Sequence, residues 1–360
     1  MKTISSFIGI SWIILWGLTG KVYGQGSKTA DSILFNDVHF HLTNYIQKGV
    51  PIKDFLQVMG NKAGRVALFG IPLQQQWAYN VTGDFAPRYY LDTDAPLYYY
   101  SFTDAMIAMT YNSLNAEQKR RFEPMITGFN PTDMYATDHI RRVLLMFPNT
   151  FTGIGEFTIH KEFVSSKIAG GVASLKDHAL DSIYDFAAES GLVVLMHSDI
   201  NNPFPKSYTQ NYLSDMKELF RRHPKTTIIW AHCGLGRIVN PIGDQVKFME
   251  DMLNDPGLSH VNFDISWDEV AKYFIQSPKA TELAAALINK FPDRFLFGSD
   301  EVGATNQTAY LKVYNMYAPL WKLLTPEASE KVRIKNFDRI FDAAKVKVRA
   351  WEKANAGRQF

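Results

Sequence analysis

Residues 33–42 read I-L-F-N-D-V-H-F-H-L, from Ile33 to Leu42. The stretch opens as an apolar, β-leaning run and ends in Asp37-Val38-His39-Phe40-His41. Alternate side chains of a strand share a face. Asp37, His39 and His41 are therefore expected on one side, with Val38 and Phe40 turned into apolar packing. Two imidazoles two residues apart on one strand can reach a single cation. Taken alone they read equally well as half-buried surface histidines, so the rest of the chain decides.

Further short apolar runs follow at 65–69, 125–129, 151–157, 192–196, 226–231, 261–265 and 294–298. Between them lie segments with helical spacing, such as 176–190 with Ala179, Ile183, Phe186 and Ala187 on one face. Eight alternating β/α units point to a closed parallel barrel, whose sites lie at the C-terminal ends of the strands. An open doubly wound sheet would advertise a Gly-rich phosphate loop after its first strand. His-Phe-His stands there instead. One interval is too long for the rhythm: 72–121, dense in aromatics from Trp77 to Phe102, is expected as an insertion after strand two. Asn336 is expected to cap a last helix whose apolar face is Ile340, Phe341, Ala344 and Val348.

Composition narrows the function. Among 360 residues 46% are hydrophobic and 21% charged, which suits a globular chain with a large core. A net charge of +2 without a basic stripe offers nothing to nucleic acid. Lys2, an apolar run over 7–18 and small residues up to Gly24 have the layout of a secretory signal, so residues 1–24 are read as a leader and 25–360 as one exported barrel domain. The apolar run falls short of the ~20 residues of a spanning helix, so no membrane span is expected after its removal. The single cysteine, Cys233, excludes an intrachain disulfide. It is expected to pack on the side opposite His232. Asn80-Val81-Thr82 is a glycosylation sequon.

Four of the nine histidines, His39, His41, His197 and His232, fall at the ends of expected strands one, five and six. Glu156 and Asp300 end strands four and eight. A barrel brings all six to one mouth. Three imidazoles and a carboxylate suit zinc, with a coordination position left for water. His139, His160, His178, His223 and His260 lie on helices, in a loop or at the wrong strand end, and are read as ordinary.

The motifs D-V-H-F-H-L (37–42), E-F (156–157), L-M-H (195–197), W-A-H-C-G (230–234), F-G-S-D (297–300) and N-F-D-R-I-F (336–341) together resemble the amidohydrolase superfamily. They are most similar to its amidohydrolase-related branch of metal-dependent decarboxylases and lactone hydrolases. The resemblance implies a distorted (β/α)8 TIM barrel. It also implies one divalent metal on His39, His41, His197 and Asp300, with His232 beside it as acid/base. Glu156 is a departure: many one-metal members of the branch have no strand-four ligand, whereas two-metal relatives such as TatD-type nucleases do. A second metal is therefore permitted, but the expectation is one Zn2+ with Glu156 touching the pocket and not required for it.

Such parts suit hydrolysis of a small ester, lactone or amide, with Asp300 taking the proton of the attacking water and His232 serving the leaving group. They also suit decarboxylation of an aromatic or unsaturated acid. A non-catalytic barrel is the remaining alternative, disfavoured because every expected ligand is present. Arg237, in G-L-G-R, can grip a substrate carboxylate. Glu156 and Trp77 are read as further substrate contacts, Trp77 at the head of a lid over 77–102 that could instead serve a homo-oligomer contact. Asp264 either faces the mouth or supports a neighbour.

Overall fold

The computed structural model describes residues 33–44, 48–71, 75–77, 102–161, 164–166, 173–202 and 211–358. The expected leader, the sequon and residues 78–101 of the expected lid lie outside the described residues. Among the described residues no helix is long and apolar enough to cross a membrane.

The main sheet has nine parallel strands: β1 Phe35–His41, β2 Ala63–Phe69, β3 Phe122–Ile126, β4 Gly153–Thr158, β5 Val193–His197, β6 Ile228–Trp230, β7 Val261–Asp264, β8 Phe295–Leu296 and β9 Glu301–Val302. Neighbours in sequence are neighbours in the sheet from β1 to β8, and β9 lies on β1. Strands β8 and β9 are successive pieces of one segment. Leu296 is registered against β7, Phe297 O accepts the amide of Val38 at 3.1 Å, and Glu301 and Val302 pair with Phe40 and His41. That segment joins the first strand to the seventh, and the result is a parallel barrel, as the chain's rhythm suggests, of the distorted TIM type that the resemblance implies.

Two apolar layers hold it. Inside, Val38, Ala67, Phe69, Met125, Val193, Leu195, Ile229 and Leu296 converge on Phe337, Ile340, Phe341 and Ala344 of the last helix, Asn336–Asn355, which plugs the barrel floor. Outside, the helices between strands bury their apolar faces on the sheet. Helix Ile52–Met59 is typical: Ile52, Phe55, Val58 and Met59 point inward, and Phe55 stacks on Phe40 with ring centroids 3.9 Å apart. A buried phenylalanine of this kind contributes ~1.5–3 kcal/mol relative to exposure.

Several expectations are corrected. Strand three begins three residues before 125, and the helix expected near 104–121 is Phe102–Asn112 followed by Ala116–Lys119, which Asn115 caps. Asp104 of the first piece accepts the amides of Thr127 and Gly128 at 2.9 Å, so 102–119 is the regular helical unit after β2 and not part of an insertion. Asn336 caps nothing. It has helical backbone angles, a π-turn over Lys331–Lys335 precedes it, and its amide donates to Pro292 O and Phe295 O. Strict alternation also fails in two strands. Val38 joins the inner layer and Phe40 the outer one, because register shifts between Asp37 and Phe40. Asp37 leaves the histidine face and accepts Ser299 N at 2.8 Å and Ser299 Oγ at 2.6 Å. In β4, register shifts between Ile154 and Phe157, so Ile154 packs outward although Glu156 faces the cavity. Gly155 makes this possible: its φ is +134°, and a Cβ there would lie 2.3 Å from Leu195 O.

Candidate active site

The strand ends deliver one cluster of side chains to the barrel mouth. His39 and His41 come from β1, Glu156 from β4, His197 from β5, Asp264 from β7, and Asp300 from the bend between β8 and β9. His232 sits in a tight turn after β6. Strand β6 stops at Trp230, and His232 and Cys233 both take left-handed backbone angles, φ 57° and 54°. The expected opposition of Cys233 to His232 therefore has no strand to rest on, although Cys233 is buried packing, its thiol 3.4 Å from Asp264 O. Asp300 is left-handed too, at φ 51°. Non-glycine residues held there cost about 1–3 kcal/mol each and persist only where their surroundings impose them.

Asp300 Oδ1 lies 3.1 Å from His39 Nε2 and 3.2 Å from His41 Nε2. Ligand atoms of these three residues lie within 4.8 Å of one another. Glu156, His197 and His232 form a second trio under the same limit. Glu156 faces both. One oxygen is 2.7 Å from His197 Nδ1 and 3.7 Å from His232 Nε2; the other is 3.5 Å from His41 Nε2 and 3.8 Å from His39 Nε2. Of the four ligands expected, His39, His41 and Asp300 are thus directly assembled, while His197 is reached across Glu156.

Hydrogen bonds behind the rings set which nitrogen faces the cluster. His41 Nδ1 donates to Gly70 O at 3.0 Å, and His39 Nδ1 donates to Asp264 at 2.8 Å. With a proton on Nδ1, each Nε2 presents its lone pair forward. His197 is oriented the other way: Nε2 is 2.9 Å from Asp199, and Nδ1 faces Glu156. His39 Nε2 and His232 Nε2 are buried with no hydrogen-bond partner, although Asp300 is within 4 Å of each. Close carboxylate oxygens off the hydrogen-bonding line, beside forward lone pairs, are the donor arrangement of a cation site.

Electrostatics agree. Burial opposes ionisation of Asp300 and Glu156, yet His39 and His41 around the first, and Lys161 and His197 around the second, hold both carboxyls well below their usual range. Burial likewise opposes a charge on His39, but Asp300 and Asp264 push its pKa well above the ordinary value. His197 rises to about 9, since Asp199 and Glu156 outweigh its burial and the repulsion of Lys161. His232 is pushed down, mainly by burial. Buried carboxylates thus hold protons on two imidazoles where positive charge is in demand, and the residues present fit a divalent cation.

Above the cluster lies a cavity of about 220 Å³ lined by His41, Glu156 and Asp300 below and by Lys161, Arg237 and Trp267 on the wall. Arg237 and Lys161 lie 5.2 and 5.4 Å from the Trp267 ring. That ring is 4.9 Å from His232. Arg237, expected as a substrate contact, lines this cavity. Trp77 lies on a short strand, Gln75–Trp77, which pairs with Val164–Ser166 and through it with His160–Lys161. Its side chain is outside the described residues. Lys161, Asp199, Ser266 and Trp267 escaped the sequence reading. Each sits within a few residues of a strand end, a signal that a search of the loops after each strand would have used. His160 is ordinary: it stacks on Tyr212 at 3.7 Å, and burial pushes its pKa down to about 3.

The solved structure of a Pseudomonas putida protein, described as a proposed 2-pyrone-4,6-dicarboxylic acid hydrolase, superposes with a TM-score of 0.53 at 12% identity, over 87% of this chain and 98% of its own. An uncharacterised TIM-barrel protein from Bordetella bronchiseptica follows at 0.51 and 12% identity, over 86% and 99%. At such identity these likenesses speak for the fold alone. No curated protein matches the chain. The Amidohydrolase family profile matches residues 37–342, from the aspartate before the first histidine into the helix that plugs the barrel floor. With the motifs, the barrel and the cluster at its mouth in agreement, this chain belongs to the amidohydrolase family.

Proposed function

We propose that the protein is a metal-dependent hydrolase that cleaves an ester, lactone or amide of a small carboxylate-bearing compound. The observation that carries this reading is the pair of forward-facing Nε2 atoms, on His39 and His41, that meet Asp300 at 3.1 and 3.2 Å in a buried pocket. His39, His41 and Asp300 would hold one divalent ion, zinc by donor type, and Glu156 and His197 are the neighbouring groups. Such an ion supplies Lewis acidity and brings the pKa of water to about 7. Asp300 then takes the proton of the attacking water. His232, kept neutral by burial, receives and returns a proton at Nε2 on the leaving-group side. Arg237 and Lys161 on Trp267 hold the substrate carboxylate, and Trp267 covers the ring of His232 from the cavity. The leader expected at 1–24 would make this an exported activity.

Screening the zinc-loaded protein against lactones, esters and aromatic carboxylic acids tests the reading. Release of acid without carbon dioxide is expected; release of carbon dioxide from an aromatic acid would make it a decarboxylase. The carboxylate clamp predicts that Arg237→Met raises KM about 10–100-fold for an acid-bearing substrate, the loss of one charged hydrogen bond. The corresponding neutral amide should change less than about threefold. Equal effects on both would remove Arg237 from carboxylate recognition.

The second trio favours a two-ion centre as an alternative, in which Glu156, His197 and His232 would hold the second ion. Elemental analysis separates the two. In the one-ion reading the wild type carries one metal per chain, and Glu156→Gln keeps it with affinity lowered by ~10–100-fold. Two metals falling to one in the variant would establish the pair.

A further inference from the structure

Behind the histidines, away from the cavity, lies an assembly that the proposed reaction does not use directly. Ser266 follows β7 and is fully buried. Its Oγ is 2.7 Å from Asp264 Oδ2, 2.9 Å from His232 Nδ1 and 3.3 Å from His39 Nδ1. The same Asp264 oxygen is 2.8 Å from His39 Nδ1, and Asp264 Oδ1 accepts the Ser266 amide at 2.6 Å. The two imidazole rings stand nearly parallel, 4.9 Å apart and inclined by 27°. Gly298, in the segment between β8 and β9, lets the groups approach, since a Cβ there would lie 2.7 Å from His39 Cβ and 3.0 Å from Ser266 Cβ.

The protons can be placed by counting. A carboxylate only accepts, and a serine hydroxyl has one proton to give. At 2.7 Å the Asp264–Ser266 contact requires that proton to point at Asp264; two facing lone pairs would repel. Ser266 can then only accept from His232, so His232 carries its proton on Nδ1. His39 carries its own on Nδ1 for Asp264. His232 is left with a bare Nε2 facing the cavity, and His39 with another once a cation takes the place of its second proton; neither Nε2 has a hydrogen-bond partner.

We infer that Ser266 is a positioning residue: with Asp264 it locks His232 and His39 into the same tautomer, which leaves His232 Nε2 ready to receive a proton and His39 Nε2 ready to hold a cation. Ser266 is not a nucleophile. It faces the rear edges of the rings, has no surface in the cavity, and gives its proton to Asp264. The two roles divide between the partners. Asp264 supports the cation-holding ring directly, whereas Ser266 alone supports His232.

The effect on turnover rests on the hydrolase reading; the tautomer and metal affinity do not. In the zinc-loaded wild type, nitrogen-15 NMR of the histidine rings should show the proton of both His39 and His232 on Nδ1. A proton on Nε2 of His232 overturns the inference, whatever the variants do. Ser266→Ala should shift the His232 proton to Nε2, lower kcat by about 10–100-fold with KM changed less than about twofold, and leave zinc affinity within about threefold in chelator competition. Asp264→Asn should instead weaken zinc by ~10–100-fold. A Ser266→Ala protein that keeps the wild-type tautomer, or that loses zinc as Asp264→Asn does, would reduce Ser266 to structural support. Expected tautomers in a protein without hydrolase activity would sink the proposed reaction and leave the lock standing.

Discussion

Asp300→Asn is expected to release the divalent ion and, with it, more than ~10³-fold in turnover, since the Lewis-acid contribution of such an ion amounts to several kcal/mol and each 1.4 kcal/mol is tenfold. Asp300 Oδ1 is closer to both forward nitrogens of β1 than the Glu156 carboxylate is. Its carboxyl stays ionised despite burial because His39 and His41 stabilise the anion. An amide of the same shape keeps the packing and loses the charge. It also places an NH2 group where the imidazole lone pairs converge, so that one ligand atom is lost and the amide's own hydrogen bonds compete with the ion for those nitrogens. The check is metal content after dialysis, alongside turnover. A variant that retains a full equivalent of metal would remove Asp300 from the ligand set, and the ion would then belong to the trio of Glu156, His197 and His232.

His232→Ala is expected to cost ~10²–10⁴-fold in turnover while one equivalent of metal remains. His232 Nε2 is 3.7 Å from Glu156 and 3.9 Å from Asp300, farther than either histidine of β1 is from Asp300. Burial holds His232 toward the neutral form, whereas the carboxylates around His39 keep that ring charged when no ion is present. A neutral ring beside the cluster suits proton transfer; one with a carboxylate 3.1 Å from its forward nitrogen suits coordination. Exogenous imidazole should restore part of the rate of the alanine variant. Loss of metal in step with activity would make His232 a ligand and would favour the two-ion centre.

Much of this was legible in the residue order. Alternating apolar runs and helical segments declare a β/α barrel because each strand must be covered by a helix, and the apolar periods of 2 and 3.6 differ on the page. The same rule puts strand-end residues at one mouth. His39, His41, Glu156, His197, His232 and Asp300 can therefore be nominated without coordinates, and the cluster does contain all six. What could not be read were the departures from regularity. Val38 and Ile154 occupy layers that strict alternation denies them, because register slips in β1 and β4 are settled by the neighbouring strands. Asn336 looks like a cap because asparagine favours caps, yet Pro292 O and Phe295 O, far away in sequence, claim its amide.

Residue order by itself determined the architecture, the order of the strands and the chemical types delivered to the mouth, since these follow from local periodicity and chain connectivity. Tertiary structure alone decided how those groups are paired. It put Asp300 between His39 and His41, placed Glu156 against His197, set Lys161 and Arg237 on Trp267, and hung His39 on Asp264 directly and His232 on it through Ser266. The physical reason is range. Periodicity acts over a few residues, whereas the hydrogen bonds that choose a tautomer or aim a lone pair join residues up to 225 positions apart, at distances that exist only once the barrel has closed.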